Sequence, residues 1–138
     1  MNDRYLFRAK RTDNGKWVEG FPSYDEFGEI GEIEEYNKTS SVFHYIDPST
    51  ICQCTGLKDK NGKLIWENDI VKRKFRLFSG EAKYEEKENC GVVKYDESYA
   101  RFGYQCSVFA MLRESEKYDS LEVIGNISDN PELLEVGE

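Results

Sequence analysis

Four cysteines and a single histidine are the side chains of this sequence best suited to bind a metal or to attack an electrophile. The cysteines are Cys52, Cys54, Cys90 and Cys106, and the histidine is His44. Four thiolates could complete a tetrahedral zinc site, but structural zinc sites usually draw their ligands in closely spaced pairs, and Cys90 and Cys106 stand alone. Cys52 and Cys54 would lie on the same face of a strand, which suits buried small side chains. We therefore predict reduced thiols without metal or disulfide.

The other groups with catalytic chemistry do not form a recognisable active-site pattern. Cys52 and His44 could meet across neighbouring strands, yet no Asn or Asp is placed to orient the imidazole ring. Glu34 and Glu35 are adjacent, so in a strand they would point to opposite faces instead of sharing a substrate. The sequence has no glycine-rich phosphate loop. We expect no catalytic residue, no metal ligand and no cofactor, and we predict a protein that is not an enzyme.

The charge of the chain is negative and unevenly spread. The 138 residues carry a formal net charge of −8, which opposes binding of the whole molecule to nucleic acid. Residues 18–37 contain no lysine or arginine. A group of glutamates within them could offer an acidic surface to a partner, although solvation of an irregular loop is the simpler interpretation. These glutamates are Glu29, Glu32, Glu34 and Glu35.

A second surface is basic. Lys72, Lys74 and Arg76 would share one face of an extended strand, with Phe78 beyond them. Such a face could hold single-stranded nucleic acid by phosphate contacts and stacking. The alternative is an ordinary solvated face of an edge strand, and we favour it because several glutamates between residues 81 and 88 would dilute the positive field.

Turn and strand signals predict a mainly β fold, of the β-rich α+β type. The Asn-Gly pairs at 14–15 and 61–62 tolerate the positive φ of tight hairpin turns. The first pair joins a strand at residues 5–9 to one at 17–21, and the second leads into a strand at 64–66. β-branched and aromatic residues predict further strands at residues 41–46, 51–57, 69–72, 91–95, 100–109 and 121–127.

Other segments are predicted to interrupt the strands. Residues 21–23 contain a proline, and residues 79–89 are highly charged. Residues 30–33 fit a short exposed strand or turn, and residues 47–50 fit a turn around Pro48. Helix is predicted at residues 111–118 and from Pro131 onward.

Several of these segments together resemble the YopX family of phage and prophage proteins. The central run is ICQCTGLKDKNGK at residues 51–63, followed by IWENDIV at 65–71. The opening LFRA at residues 6–9 and the closing LEVIGNI and NPELL at 121–127 and 130–134 extend the resemblance over essentially the whole chain. Cys54 replaces an aromatic residue usual in the family. Asn68 replaces a glycine, and we expect it to keep the left-handed turn.

The resemblance implies a phage-borne accessory protein that acts inside the bacterial cell, with no assigned activity. The order of the predicted strands is similar to that of an SH3-like barrel: one strand starts at Asp69, a later one begins Gly-Val-Val, and a last strand follows. This similarity in fold does not determine a function. We therefore predict an N-terminal hairpin-based lobe at residues 1–63, an SH3-like barrel lobe at 64–130 and an acidic tail at 131–138. The expected role is a non-enzymatic binding module in the cytoplasm, with an unidentified protein partner or a second copy as its ligand. We expect no membrane segment.

The central motif is predicted to be architectural. Gly56 and Gly62 are turn residues, Trp66 has the area to anchor the contact between lobes, and Asp69 begins the barrel. The tip of the second hairpin is predicted to be exposed and to tolerate alanine; it comprises Lys58, Asp59 and Lys60.

Overall fold

The computed structural model describes residues 5–36, 39–105 and 109–134, and its fold is mainly β, as predicted. The chain divides into two compact units, Met1–Cys54 and Thr55–Glu138.

The division falls earlier than the predicted end of the first lobe at residue 63. The hairpin at residues 55–63 is hydrogen-bonded into the second unit. The Thr55 hydroxyl donates to the Ile65 carbonyl at 2.7 Å, and the Lys60 N–H donates to the Leu121 carbonyl at 2.8 Å. This hairpin is therefore part of the barrel-like unit.

The first unit contains an antiparallel sheet in the order β4-β3-β2-β1-β5. The first two strands form the hairpin predicted around Gly15, whose φ is +69°. The strand β5 crosses the boundary between the units, since Cys52 and Gln53 pair with β1 and its later residues belong to the second unit. The bounds are β1 Phe7–Lys10, β2 Trp17–Tyr24, β3 Ile30–Tyr36, β4 Ser41–Tyr45 and β5 Cys52–Lys58.

The core of this unit is formed by Ala9, Val18, Ile33 and Ile46, all of which are buried. The sequence predicted an exposed segment at residues 30–33, and this was wrong for Ile33, which no solvent reaches. The isoleucine lies on the inner face of a regular strand, while its glutamate neighbours take the outer face.

The predicted break at residues 21–23 was also wrong, because β2 continues through Pro22 to Tyr24. The last residue of β2 that pairs with β1 is Gly20, opposite Phe7. Beyond it β2 pairs with β3, so the missing N–H of the proline faces the side where the ladder has already ended. A proline there leaves the sheet intact.

The second unit contains a five-stranded antiparallel sheet in the order β10-β9-β8-β7-β11. Four strands form a meander, and the last strand returns beside the first of them. The bounds are β6 Leu64–Trp66, β7 Asp69–Phe78, β8 Tyr84–Asp96, β9 Arg101–Gln105, β10 Phe109–Met111 and β11 Asp119–Asn126.

The core of the second unit contains Ile65, Val71, Val93, Tyr104 and Leu121, with Leu112 completing the cluster. Alternation along β7 and β8 directs these side chains inward, so the same alternation directs the neighbouring residues outward. That second face carries the candidate site.

Asp59 is the main correction to the predicted hairpin tip. Its exposed fraction is only 6%, and its carboxylate accepts three backbone N–H groups. Oδ1 accepts from Asn61 and Lys63 at 2.9 Å each, and Oδ2 accepts from Val123 at 3.0 Å. Asp59 therefore closes the turn and fastens it to β11, whereas Lys58 is exposed as predicted.

The turn before β7 has the geometry expected from the sequence. Asn68 has a φ of +70°, the left-handed conformation predicted for the residue that replaces glycine. Asp69 is buried, and its Oδ2 accepts the Trp66 N–H at 2.8 Å. Trp66 itself is 3% exposed. The turn thus joins β6 to β7 through a buried side chain.

Two further segments differ from the prediction. Residues 84–89 form the start of β8, because cross-strand ion pairs with β7 stabilise a stretch that its composition alone would leave irregular. The helix predicted at residues 111–118 is absent. Leu112 is buried in the core, and Glu116 and Asp119 bond each other's backbone, so tertiary contacts override the local propensity. The helix predicted from Pro131 is a 3-10 turn, Pro131–Leu134.

We predict a clear order of stability losses for substitutions in the central motif. Trp66→Ala should lower the free energy of unfolding by about 3–5 kcal/mol, since it empties a buried site. Asp59→Ala should cost about 1–3 kcal/mol, because three N–H groups lose their acceptor. Gly62→Val should cost about 1–2 kcal/mol from its φ of +79° alone, as open space surrounds the position.

Urea denaturation of the three variants beside Lys58→Ala measures this order. The exposed Lys58→Ala should stay within about 0.5 kcal/mol of wild type. A Trp66→Ala protein as stable as Lys58→Ala would show that the motif is not architectural.

Candidate functional site

The outer face of β7 carries the side chains that the sequence predicted as a basic strand. Lys72, Lys74, Arg76 and Phe78 occupy alternate positions along it. Their partners on β8 are Cys90, Glu88, Glu86 and Tyr84, and on β11 Lys72 lies opposite Glu122 and Lys74 opposite Ser120. The structure therefore brings the four predicted residues together, but it places a row of acids beside them.

Ion pairs neutralise much of the basic character of this face. The Lys72 Nζ lies 3.7 Å from Glu88 Oε1, and the Arg76 Nη2 lies 3.8 Å from Glu86 Oε1. These pairs are partly exposed, so each contributes at most about 1 kcal/mol to stability. Their larger effect is on the field, because a positive row and a negative row roughly 5 Å apart cancel at longer range.

An aromatic side chain lies at the edge of the basic row. The Arg76 guanidinium lies 4.1 Å from the centre of the Tyr118 ring, and the Lys117 Nζ lies 5.0 Å from it. Both distances are in the range of cation–π contacts. Together with the strands, this tyrosine lines a shallow groove of about 620 Å³, which we call the hairpin groove. Its lining includes Lys74, Arg76, Glu86, Glu88, Tyr118 and Ser120.

Beyond the groove, the β7–β8 hairpin extends as a two-stranded ribbon. The pairing of β11 with β7 stops at Phe75, and the pairing of β9 with β8 begins at Val92. Phe78 and Tyr84 face each other across the ribbon with ring centres 5.5 Å apart, and they are 64% and 63% exposed. Isolated two-stranded ribbons are marginally stable in water, so this exposed aromatic pair supports the tip.

A network on the inner face positions the start of β11. Arg73 donates two hydrogen bonds of 2.7 Å to the Asp119 carboxylate, and Arg113 donates a third, also 2.7 Å. The hydrogen bond from Arg73, reinforced by the charge of both arginines, lowers the pKa of Asp119 despite its partial burial. The network fixes the position of Asp119, and thereby the position of Tyr118, which lines the groove.

The predicted acidic surface lies in the first unit and is divided by the alternation of β3. Glu32 and Glu34 share one face, Glu35 takes the other, and Glu29 precedes the strand. His44 Nε2 lies 3.5 Å from Glu35 Oε1. Glu34 accepts a hydrogen bond that, with its charge, raises the pKa of Tyr36.

The remaining predicted residues have structural positions. Gly56 has a φ of +80°, which explains its place in the central motif. Cys52 and Cys54 are buried, and Cys90 is partly buried; Cys106 lies outside the described residues. Within the described ranges, no group of three or more His, Cys, Asp or Glu residues is placed to hold a metal ion.

Sequence reasoning missed Lys117 and Tyr118, because it assigned them to a helix. The signal available was a run of charged and polar residues around a single tyrosine just before the last strand, which also fits a turn. The contact with Arg76 is non-local, and one sequence gives no sign of it.

Comparisons with known proteins agree with this architecture. Residues 6–135 match the family model described as YopX protein, which confirms the resemblance drawn from the sequence. The crystal structure of protein EF1440 from Enterococcus faecalis is similar, with 27% sequence identity and a TM-score of 0.53 over 93% of this chain and 96% of that chain. No curated protein matches the sequence. Along the described residues, no helix is long and apolar enough to cross a membrane.

We predict that stability falls in acid because two carboxylates have lowered pKa values. Burial would raise the pKa of Asp59, but its hydrogen bonds from Val123, Lys63 and Asn61 lower it, and Arg73 lowers that of Asp119. Unfolding restores the ordinary pKa, so both contributions are complete above about pH 4 and are lost as the pH falls through the folded values.

Denaturation at a series of pH values from 7 to 3 tests this. Asp59→Asn should be less stable than wild type at pH 7 and should lose less of its remaining stability between pH 5 and 3. The exposed Glu97→Gln should follow the wild-type curve. An acid dependence of Asp59→Asn parallel to wild type would contradict the assignment.

Proposed function

The chain belongs to the YopX family, and from this membership and the hairpin groove we propose a non-enzymatic accessory protein that binds a protein partner. In this proposal it is encoded by a phage or prophage and acts in the bacterial cytoplasm. The partner docks on the hairpin groove and on the aromatic pair at the tip of the ribbon.

One observation carries the proposal. The ribbon projects large apolar side chains into solvent on both of its faces, with Phe78 and Tyr84 on one face and Leu77, 49% exposed, on the other. Clustered exposed apolar area rimmed by polar groups is typical of protein-binding surfaces, where aromatic residues and arginine are enriched. The groove beside the ribbon contains both residue types, because Arg76 lies against the ring of Tyr118.

The charge arrangement supports a protein partner over nucleic acid. A phosphate backbone needs an uncompensated positive track. Here Lys72 and Arg76 already form ion pairs with Glu88 and Glu86, and the groove is lined by side chains of both charges. A protein partner can satisfy alternating charges, whereas a polyanion is repelled by half of them.

Nucleic-acid binding gives the first test. We predict that the protein shows no specific binding to single- or double-stranded DNA or RNA at physiological salt, as measured by fluorescence anisotropy of labelled oligonucleotides. Micromolar binding that falls steeply with salt, and that is lost when Lys72, Lys74 and Arg76 are changed to alanine, would favour nucleic acid instead.

Capture from phage-infected bacterial cells gives the second test. Phe78→Ser combined with Tyr84→Ser should abolish recovery of a partner that the wild-type protein retains, because truncating aromatic anchors at an interface removes a large part of its binding energy. Tyr24→Ser is the matched control, since Tyr24 is also 63% exposed but lies in the first unit. Equal recovery by all proteins would place the binding surface elsewhere.

A further inference from the structure

Along the described residues, the strand β4 has an open edge from Ser41 to Phe43 in the first unit, whereas Arg11 and Thr12 pair with its C-terminal end. It lies at the end of the strand order, beyond β3. Three large apolar side chains occupy its five residues with unusual exposure: Val42 is 46% exposed, Phe43 53% and Tyr45 72%. Single exposed apolar residues are ordinary, but three in one edge strand mark a surface suited to a partner.

The backbone of this strand also points outward. The Ile46 N–H donates to the Gly31 carbonyl at 3.2 Å, so residues 42, 44 and 46 direct their backbone groups toward β3. The alternate residues 41, 43 and 45 direct theirs to the open side. The Tyr45 carbonyl accepts the Thr12 N–H at 3.1 Å, so the backbone groups of Phe43 lie on the part of the edge that stays open.

Two usual protections against edge pairing are missing from β4, and the segment at Arg11 and Thr12 covers only its C-terminal end. Natural edge strands carry lysine, proline or a bulge that prevents another strand from adding. The strand Ser41–Tyr45 contains neither lysine nor proline, and its register with β3 is continuous from Tyr45 opposite Glu32 to Ser41 opposite Tyr36. The edge is therefore shaped to accept a strand.

The negative charge beside the edge indicates that an added strand should be basic. Glu32 and Glu34 lie directly opposite Tyr45 and Phe43, on the same face of the sheet. Residues 18–37, which include β3 and most of β2, contain no lysine or arginine. A strand added to β4 would lie roughly 10 Å from β3, two strand spacings away. A lysine or arginine on it can cross the exposed aromatic ring and approach the glutamate beyond.

We propose that β4 binds an extended basic segment of a protein partner, with lysine or arginine at alternate positions, by adding it as a further strand. The backbone of Phe43 provides the hydrogen bonds, the rings of Phe43 and Tyr45 cover the aliphatic stems, and Glu32 and Glu34 attract the cations. A second copy of this chain fits less well, because it would bring a second acidic β3 strand to the same edge. The strand β4 belongs to the first unit, whereas the hairpin groove is lined by residues of the second.

A synthetic peptide of seven residues alternating lysine and valine is a suitable probe for the full chain. We expect it to bind, and a peptide with glutamate in place of lysine to bind at least about tenfold more weakly. Amide hydrogen exchange should show the Phe43 N–H slowing when the peptide is added, while the His44 N–H, already directed toward β3, is slow in both states.

Variants separate backbone pairing from charge. Phe43→Pro removes the outward N–H without removing a bond to β3 and should abolish binding, whereas Phe43→Thr should bind more weakly but still protect the amide at position 43. Glu34→Lys should weaken binding about tenfold or more. Circular dichroism melts check that each variant is folded.

Three results would overturn the proposal. The first is equal binding of the lysine and glutamate peptides. The second is binding of the lysine peptide without protection of the Phe43 amide. The third is a dimer in light scattering that Phe43→Pro dissociates, which would assign the edge to a second copy.

Discussion

The carboxylate of Asp59 is the interaction on which the second unit depends. One side chain accepts N–H groups from both ends of its own turn and from Val123 in the last strand. The last strand pairs with β7, and the residue just before it, Tyr118, lines the hairpin groove. The position of the groove therefore follows from a hydrogen-bonded carboxylate on the far side of the same strand. Burial raises the pKa of Asp59, but the three donors stabilise its ionised form and lower the pKa below its ordinary value.

The long pairing of β7 with β8 determines the chemistry of the candidate site. Because alternate residues of both strands share a face, one register brings lysine and arginine beside glutamate and brings Phe78 beside Tyr84. A shift by a single residue would exchange the inner and outer faces and would bury charge in place of Val71 and Val93. The burial of the core thus also fixes the arrangement of the surface.

Much of the architecture could be predicted from the sequence, and the failures have physical reasons. The Asn-Gly turns and the left-handed Asn68 are local, so they follow from residue type alone. The burial of Asp59 and the contact of Tyr118 with Arg76 are formed by residues far apart in the chain, and no local rule reports them. The helix predicted at residues 111–118 failed because Leu112 is needed in the core. The alternation along the basic strand agrees with the prediction, but the favoured interpretation as an edge strand was wrong, because β7 pairs with both β8 and β11. Its neutralisation depends on a pairing register that composition does not reveal.

The strand β5 has a consequence for how such a protein can evolve. Its first residues complete the sheet of one unit, and its later residues begin the other. A recombination crossover between the units would divide a strand and leave each half without part of its ladder. Exchange of one unit alone would therefore disrupt a strand of the other, whereas substitutions on the ribbon or the sheet edge would leave β5 intact. Exposed side chains such as Phe78 and Phe43 can be substituted without disturbing either core.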